Sequence, residues 1–133
     1  LGAALGTKLA RPDRMVVSLI GDGGFIFGCP VATLWSAVAY RAPFLSIIFN
    51  NHSYAAFNGL LPMFSDEDFT NSDLGFEIGL HIKNPPDFAA IARACSAFGR
   101  TVEEPSDLPT ALRSAIGAVR DGSPAVLDVK IEV

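Results

Sequence analysis

The sequence predicts an α/β fold with three layers, in which a mainly parallel sheet lies between helices. Three observations predict this class. Short apolar runs alternate with helical patterns of ten to a dozen residues, which is the order of βαβ units. The composition, 50% hydrophobic and 18% charged over 133 residues, suffices for one domain with a core of its own. Two of the apolar runs end in polar turns, where parallel sheets bind their ligands.

The first half of the chain is predicted to contain two strands and their neighbouring helices. A helix rich in small residues covers Leu1–Ala10, and Met15–Ile20 is an apolar strand of the kind buried on both faces. Pro30–Tyr40 is a helix, since proline loses no hydrogen bond in a first turn. Phe44–Phe49 is a second buried strand, and a short helix or turn follows near residues 53–58. The core positions expected in this half are Cys29, Trp35 and Phe44.

The second half continues the alternation after a long irregular stretch. Asp87–Phe98 has one apolar helical stripe, with its first residue as N-cap and Gly99 as the stop signal. A strand over Arg100–Glu103, a helix over Leu108–Arg120 and a last strand over Ala125–Val133 follow. We therefore expect four strands in one sheet.

Residues 59–86 show no convincing period and are too long for an ordinary connection, so they are predicted to be a functional loop or a partner-contacting segment. An EF-hand over residues 66–77 is disfavoured. Acidic or hydroxyl residues occupy several ligand positions of that motif, but Asn71 stands where its invariant glycine belongs, and no amphipathic helices flank it.

The turns after the first two strands carry the most informative pattern. Gly21-Asp22-Gly23 follows the first strand, and Asn50-Asn51 comes after 26 intervening residues, at the end of the second. If these strands are neighbours, about 4.8 Å apart, both turns can touch one small ligand. Asp22 and Asn51 then offer a charged and a neutral oxygen, which suits Mg²⁺ or Ca²⁺ and not zinc. Gly23 and Gly24 let a phosphate approach the main chain.

Other glycine motifs fail on spacing. A dinucleotide fingerprint needs glycine where Ile26 stands, and a P-loop needs lysine with serine or threonine where Cys29 and Pro30 stand. The net charge of −4, with 10 scattered basic residues, argues against nucleic acid and anionic membrane surfaces as partners.

The two cysteines form no CxxC pair and lie far from zinc-type spacing, so no disulfide framework or zinc site is indicated. A reducing, cytoplasmic compartment fits best. No apolar run is long enough for a membrane span.

Residues 21–54 resemble the diphosphate-binding motif of enzymes that depend on thiamine diphosphate, the pattern GDG followed by NN. They read GDGGFIFGCPVATLWSAVAYRAPFLSIIFNNHSY. The part LWSAVAYRAPFLSIIFNN and the closing GSPAVLDVKIEV are similar to the acetolactate synthase and benzoylformate decarboxylase branch. The resemblance covers nearly the whole chain, residues 1–133, as a C-terminal thiamine diphosphate-binding (PP) domain.

This resemblance implies how the cofactor is held. Mg²⁺ would be bound by the side chains of Asp22 and Asn51 and by the carbonyl of Ser53, while main-chain N–H groups of Gly23 and Gly24 would donate to the diphosphate. Gly24 departs from the usual serine or alanine, which leaves a backbone role intact. His52 and Tyr54 flank this loop and add phosphate or substrate contacts. The implied cofactor-binding residues are Gly21, Asp22, Gly23, Gly24, Asn51, Ser53 and Tyr54.

The implied activity is decarboxylation or carboligation of a small 2-keto acid. In the family, the activating glutamate lies on a pyrimidine-binding domain of a partner subunit, so we expect no catalytic residue here, a homodimer or homotetramer, and no activity from the chain alone. The apolar residues of the 57–64 segment would line the substrate entrance and the subunit contact, or simply pack under the loop. These residues are Phe57, Leu60, Leu61, Met63 and Phe64.

Because the sequence begins inside a helical pattern without methionine, we expect a fragment of a longer, multidomain enzyme. One alternative is the PP-type small subunit of a split 2-keto acid decarboxylase. The other is a non-catalytic scaffold module, which gives no physical reason to retain both Asp22 and Asn51.

Overall fold

The computed structural model describes residues 1–58, 60, 63–64 and 80–131. The EF-hand alternative at residues 66–77, most of the predicted 59–86 segment and the end of the last predicted strand lie outside the described residues. The helices are α1 Gly2–Ala10, α2 Asp22–Phe27, α3 Pro30–Ala39, α4 Ala55–Asn58, α5 Phe88–Ala94 and α6 Leu108–Arg120, and the strands are β1 Val17–Gly21, β2 Leu45–Asn50, β3 Phe98–Val102 and β4 Ala125–Lys130.

The strands form a parallel sheet in the order β1-β2-β4-β3. This confirms the parallel α/β prediction and the proposed neighbourhood of the first two strands, since Gly21 pairs with Phe49 at the end of the β1–β2 ladder. We call the end of the sheet where the strands finish the carboxyl edge, and the opposite end the amino edge. The two polar turns thus start side by side at the carboxyl edge.

Two apolar cores lie on opposite faces of the sheet, as a three-layer fold requires. On the first face, α1, α2, α3 and α5 pack over side chains that include Ile48 and Val126. On the second face, α6 packs over the alternate side chains, which include Leu45 and Leu127. The predicted fold class is confirmed, with several helices in one outer layer and α6 in the other.

The burial predicted for the first strand is wrong. β1 alternates exposed and half-buried residues, and Leu19 is 66% exposed. The reason is position: β1 lies at the edge of the described sheet, and α6 packs chiefly over β3 and β4. Val17, Leu19 and Phe49 therefore form an exposed apolar strip on the second face.

The predicted helix over residues 87–98 is four residues too long. Asp87 is its N-cap as predicted, accepting a hydrogen bond from the Ala90 N–H at 2.8 Å. The helix ends at Ala94, and the left-handed turn that follows uses Ser96, with φ 61°, and not Gly99. Gly99 lies in β3, where a Cβ would collide with the carbonyl of Ala89. The prediction of Gly99 as a helix stop was wrong, because this glycine allows β3 to pack closely on the backbone of Ala89.

Two of the predicted core residues are at the surface. Phe44 is fully buried, but Trp35 is 63% exposed, because α3 turns Leu34 and Ala37 toward the core and Trp35 away from it. Cys29 is exposed in a left-handed turn between α2 and α3. The sequence also gave no indication of α2, so Asp22, expected in a loop, begins a short helix.

Candidate functional site

The predicted site residues surround one cavity of about 400 Å³ at the carboxyl edge. The turn after β1 forms one wall, and the loop after β2 forms another. Phe49 and Phe57 contribute apolar surface. The residues that the sequence singled out and that line this cavity are Gly21, Asp22, Gly23, Gly24, Asn51, Ser53 and Tyr54.

Asp22 is the most unusual group in the cavity wall, because its carboxylate is only 2% exposed. Oδ1 accepts a hydrogen bond from the N–H of Gly23 at 2.8 Å. Oδ2 is buried and has no hydrogen-bond partner in the described part of the chain. A buried carboxylate oxygen without a partner is costly. A cation in the cavity would satisfy it.

The loop after β2 is held in a sharp reversal by side-chain hydrogen bonds. His52 has a φ of 57°, a left-handed conformation that is uncommon for a non-glycine residue. Its N–H donates to Asn50 Oδ1 at 3.2 Å, and the N–H of Ser53 donates to Asn51 Oδ1 at 3.1 Å. The reversal brings Asn51 and Ser53 to the wall that faces Asp22.

A second segment holds this loop from outside. The N–H of Tyr54 donates to the Leu80 carbonyl at 2.8 Å, and the N–H of Ile82 donates to the His52 carbonyl at 2.8 Å. Ser53 forms an isolated antiparallel bridge with His81. The loop is therefore fixed by its own side-chain hydrogen bonds and by contacts with residues 80–82, as a preformed binding site requires.

The glycines after β1 allow neighbouring side chains to pack directly on the turn. A Cβ on Gly23 would overlap the ring of Tyr54, and one on Gly24 would lie 2.9 Å from Ile20 Cγ1. The Tyr54 ring also makes edge contacts with Phe27 and Phe57, at centroid distances of 6.0 and 6.3 Å. Tyr54 therefore packs on the glycine turn and contacts Phe27 and Phe57.

These donors fit a magnesium diphosphate. A carboxylate oxygen, an amide oxygen and main-chain carbonyls are the hard ligands that Mg²⁺ takes. The N–H of Gly23 is already engaged by Asp22 Oδ1. Gly24 lies in the first turn of α2, where helix geometry leaves N–H groups without intrahelical acceptors.

Sequence reasoning missed a buried polar network directly behind the loop. Asn50 and Asp128 are 1% and 2% exposed, and the Asn50 amide donates to Asp128 Oδ1 at 2.8 Å. Lys130 donates to Asp128 Oδ2 at 3.0 Å. The available signal was a single aspartate inside the apolar run AVLDVKIEV.

His52 and the apolar segment lie beside the cavity. The ring of His52 is exposed and borders a separate cavity with Glu103 and Lys130. Leu61 lies outside the described residues. The described members of the apolar 57–64 segment, Phe57, Leu60, Met63 and Phe64, are exposed.

A larger cleft, of about 850 Å³, lies at the amino edge. Its charged groups are solvent-exposed. Arg11 and Asp13 form an ion pair there at 3.0 Å, and the hydrogen bond from Arg11 lowers the pKa of Asp13 below its ordinary 3.8. The cleft is lined by basic residues Lys8, Arg14, Arg41 and Arg120.

Within the described ranges, no three histidine, cysteine, aspartate or glutamate side chains converge as a metal cluster. None of the described helices has the length and apolar character needed to cross a membrane.

Known proteins are similar to this chain over nearly its whole length. The family model for the C-terminal TPP binding domain of thiamine pyrophosphate enzymes matches residues 1–129. Benzoylformate decarboxylase from Pseudomonas aeruginosa is 34% identical over 129 residues, which are 97% of this chain and 22% of that protein. Acetolactate synthase from Bacillus subtilis is 32% identical over 133 residues, covering 97% of this chain and 20% of that protein.

A solved structure agrees with these relatives. The thiamine diphosphate-dependent 4-hydroxybenzoylformate decarboxylase of Rhodococcus jostii RHA1 superposes with a TM-score of 0.80 at 34% identity, covering 99% of this chain and 22% of that one. The chain therefore spans about a fifth of the length of the relatives it matches.

Proposed function

The chain belongs to the family of C-terminal TPP-binding domains of thiamine pyrophosphate enzymes, and from this premise we propose that it anchors thiamine diphosphate through Mg²⁺ in a 2-keto acid decarboxylase or carboligase. The observation that carries the proposal is the buried, unpartnered Asp22 Oδ2, which shares a cavity with Asn51 and Ser53. A cation is the ligand that relieves this oxygen.

Each residue has a distinct part in holding the cofactor. Asp22 supplies the negative charge for the metal, and Asn51 and the Ser53 carbonyl supply neutral oxygens. The absence of a side chain at Gly23 and Gly24 lets Tyr54 and Ile20 pack on the turn, and Gly24 offers its main-chain N–H. Tyr54 packs on the turn and lines one side of the cavity.

When bound, thiamine diphosphate supplies the carbon nucleophile that adds to a 2-keto acid and allows CO₂ to leave. The residues of this chain fix the diphosphate end and so orient the reacting end. We propose that the activating glutamate belongs to a pyrimidine-binding domain in a partner subunit of a homodimer or homotetramer. No catalytic residue is assigned to this chain.

The relatives support this larger assembly, since they are about five times as long as the matched segment. A benzoylformate decarboxylase and an acetolactate synthase match at 34% and 32% identity. Because the two sequence identities are nearly equal, we propose the 2-keto acid substrate class that decarboxylation and carboligation share. The free Cys29 and Cys95 suit a cytoplasmic enzyme.

The test is calorimetric titration of thiamine diphosphate into the complete polypeptide that carries these residues, with and without Mg²⁺. We expect binding that requires Mg²⁺. Asp22→Ala and Asn51→Ala remove metal ligands and should each abolish it, while Arg41→Gln, in the cleft at the amino edge, is the matched control and should leave it unchanged.

Near-normal metal-dependent binding in Asp22→Ala would contradict the assignment of the site. Absence of any metal-dependent binding by the wild type would favour the scaffold alternative. Metal-dependent binding that appears only after a separate polypeptide is added would favour the split-subunit alternative.

A further inference from the structure

The buried pair of Asn50 and Asp128 stands directly behind the loop that carries two of the proposed ligands. In the β2–β4 ladder, Ile48 pairs with Asp128 and Asn50 pairs with Lys130, so Asn50 and Asp128 lie diagonally on the same face of the sheet. Their 2.8 Å hydrogen bond joins residues that are 78 positions apart in the chain. This bond ties the end of β2 to β4.

The direction of that hydrogen bond determines what Asn50 does next. Its NH₂ group is committed to Asp128 Oδ1, which leaves Oδ1 of the amide facing the other way. That oxygen accepts the N–H of His52, the residue with the left-handed φ of 57°. The turned amide thus supports the reversal that presents Asn51 and Ser53 to the cavity.

We propose that Asp128 is a positioning residue for the metal site, acting through Asn50 on the Asn51–Ser53 loop. The inference rests on the proposed function, because it concerns the same magnesium–diphosphate site. Asp128 does not line the cavity around Asp22, so its effect is indirect. Asp128 orients the Asn50 amide, and this amide supports the left-handed turn at His52. That turn lies within the loop that carries the proposed ligand oxygens.

The chemistry of Asp128 supports a role beyond packing. A buried carboxylate is expensive to place in a sheet, and an apolar residue of similar volume commonly serves stability as well or better. The neighbouring strand positions Val126 and Leu127 are apolar and fully buried. Asp128 needs Lys130, 3.0 Å away, to balance its charge. What it adds over an apolar residue is a fixed acceptor for the Asn50 amide.

The experiment compares variants in the complete polypeptide, using calorimetry for Mg²⁺ affinity in the presence of thiamine diphosphate and thermal unfolding of the ligand-free protein. Asp128→Leu removes the acceptor while keeping the branched shape, and should weaken Mg²⁺ binding by about 10- to 100-fold, the usual cost of losing support behind a metal ligand. Asp128→Asn keeps an acceptor oxygen and should recover most of the affinity.

Two controls separate positioning from general destabilisation. Ser46→Ala changes a fully buried side chain on the same face of β2, whose hydroxyl has no hydrogen-bond partner among the described residues, and should leave Mg²⁺ affinity unchanged. Lys130→Met removes the ion pair but keeps the Asn50–Asp128 bond, so its affinity loss should be smaller than that of Asp128→Leu.

Asn50→Leu breaks the same link from the other side. It should reproduce the loss of affinity, and the double variant with Asp128→Leu should lose no more than either single variant. If Asp128→Leu fails to fold, Asn50→Leu decides the question alone.

The inference is overturned if Asp128→Leu or Asn50→Leu lowers the unfolding midpoint while Mg²⁺ affinity stays within about twofold of wild type. It is also overturned if Asp128→Asn behaves like Asp128→Leu. Failure of the wild-type protein to bind magnesium and thiamine diphosphate is a different result, because it removes the proposed function itself.

Discussion

The charged side chains at the two edges of the sheet differ in their exposure to solvent. At the amino edge, charged side chains surround the larger cleft, about 850 Å³, but they remain in water, and the Arg11–Asp13 pair is exposed. At the carboxyl edge, the cavity is about 400 Å³, yet Asp22 is buried beside it with an unpartnered oxygen. Most charged groups at the amino edge are exposed to solvent, whereas the Asp22 carboxylate at the carboxyl edge is buried.

This difference favours the carboxyl edge as the binding site, although its cavity is the smaller of the two. Exposed ion pairs contribute little to stability and need no ligand. A buried carboxylate with a free oxygen costs stability unless a ligand compensates it. Among the described residues, Asp22 is therefore the buried charged group that folding leaves without a full set of partners.

After the loss of a metal ligand, the next largest effect expected at the carboxyl edge is that of Gly23→Ala. The new Cβ would overlap the Tyr54 ring and narrow the cavity, so we expect thiamine diphosphate affinity to fall by more than about tenfold, equivalent to about 1.4 kcal/mol. Calorimetry with Mg²⁺ present measures it.

Gly117→Ala in α6 is the matched control for that substitution. Nothing lies within 4 Å of the added Cβ, and removing a glycine from a helix interior should stabilise the fold by about 0.5–1 kcal/mol without changing affinity. Wild-type affinity in Gly23→Ala would show that the Tyr54 ring swings aside freely and that this wall is not preformed.

An intermediate effect is expected for Asp22→Asn in the absence of metal. Asparagine keeps an acceptor for the Gly23 N–H and removes the buried charge, so the metal-free protein should gain about 1 kcal/mol in free energy of unfolding. Urea unfolding in the presence of a chelator measures this gain. A loss of stability instead would mean that the carboxylate is already compensated in the free protein and that the two edges differ less than we infer.

The smallest expected effect concerns Asp13 at the amino edge. The hydrogen bond from Arg11 lowers the pKa of Asp13, so its contribution to stability is complete above the ordinary value of 3.8 and is lost as pH falls through the lower folded-state value. Asp13→Asn should therefore be slightly less stable than wild type near neutral pH and equal to it in strong acid. Thermal unfolding across the acid range tests this, and a difference that persists in strong acid would contradict it.

The sequence was sufficient to predict which residues line the candidate cavity, because the relevant signals are local. A glycine turn and an asparagine pair each follow an apolar run, and parallel strands bring such turns to one edge. The structure places both turns around one cavity, after neighbouring strands. The N-cap at Asp87 was predictable for the same reason.

Features that depend on distant packing were not predictable. The exposure of Leu19 follows from the edge position of β1, and that of Trp35 from the direction in which α3 faces the core. Gly99 was interpreted as a helix stop because its close contact with the Ala89 backbone, which requires a glycine, becomes visible only in the folded structure. The Asn50–Asp128 hydrogen bond joins residues 78 positions apart, and the sequence around either residue does not indicate its partner.

The apolar strip of Val17, Leu19 and Phe49 has a practical consequence for work with this polypeptide. Among the described residues, nothing covers this apolar face and β1 ends the sheet, an arrangement that favours self-association. Preparations of these residues by themselves are predicted to become turbid as the concentration rises, and mild detergent should clear them. Dilute samples would then be the suitable material for spectroscopy and calorimetry.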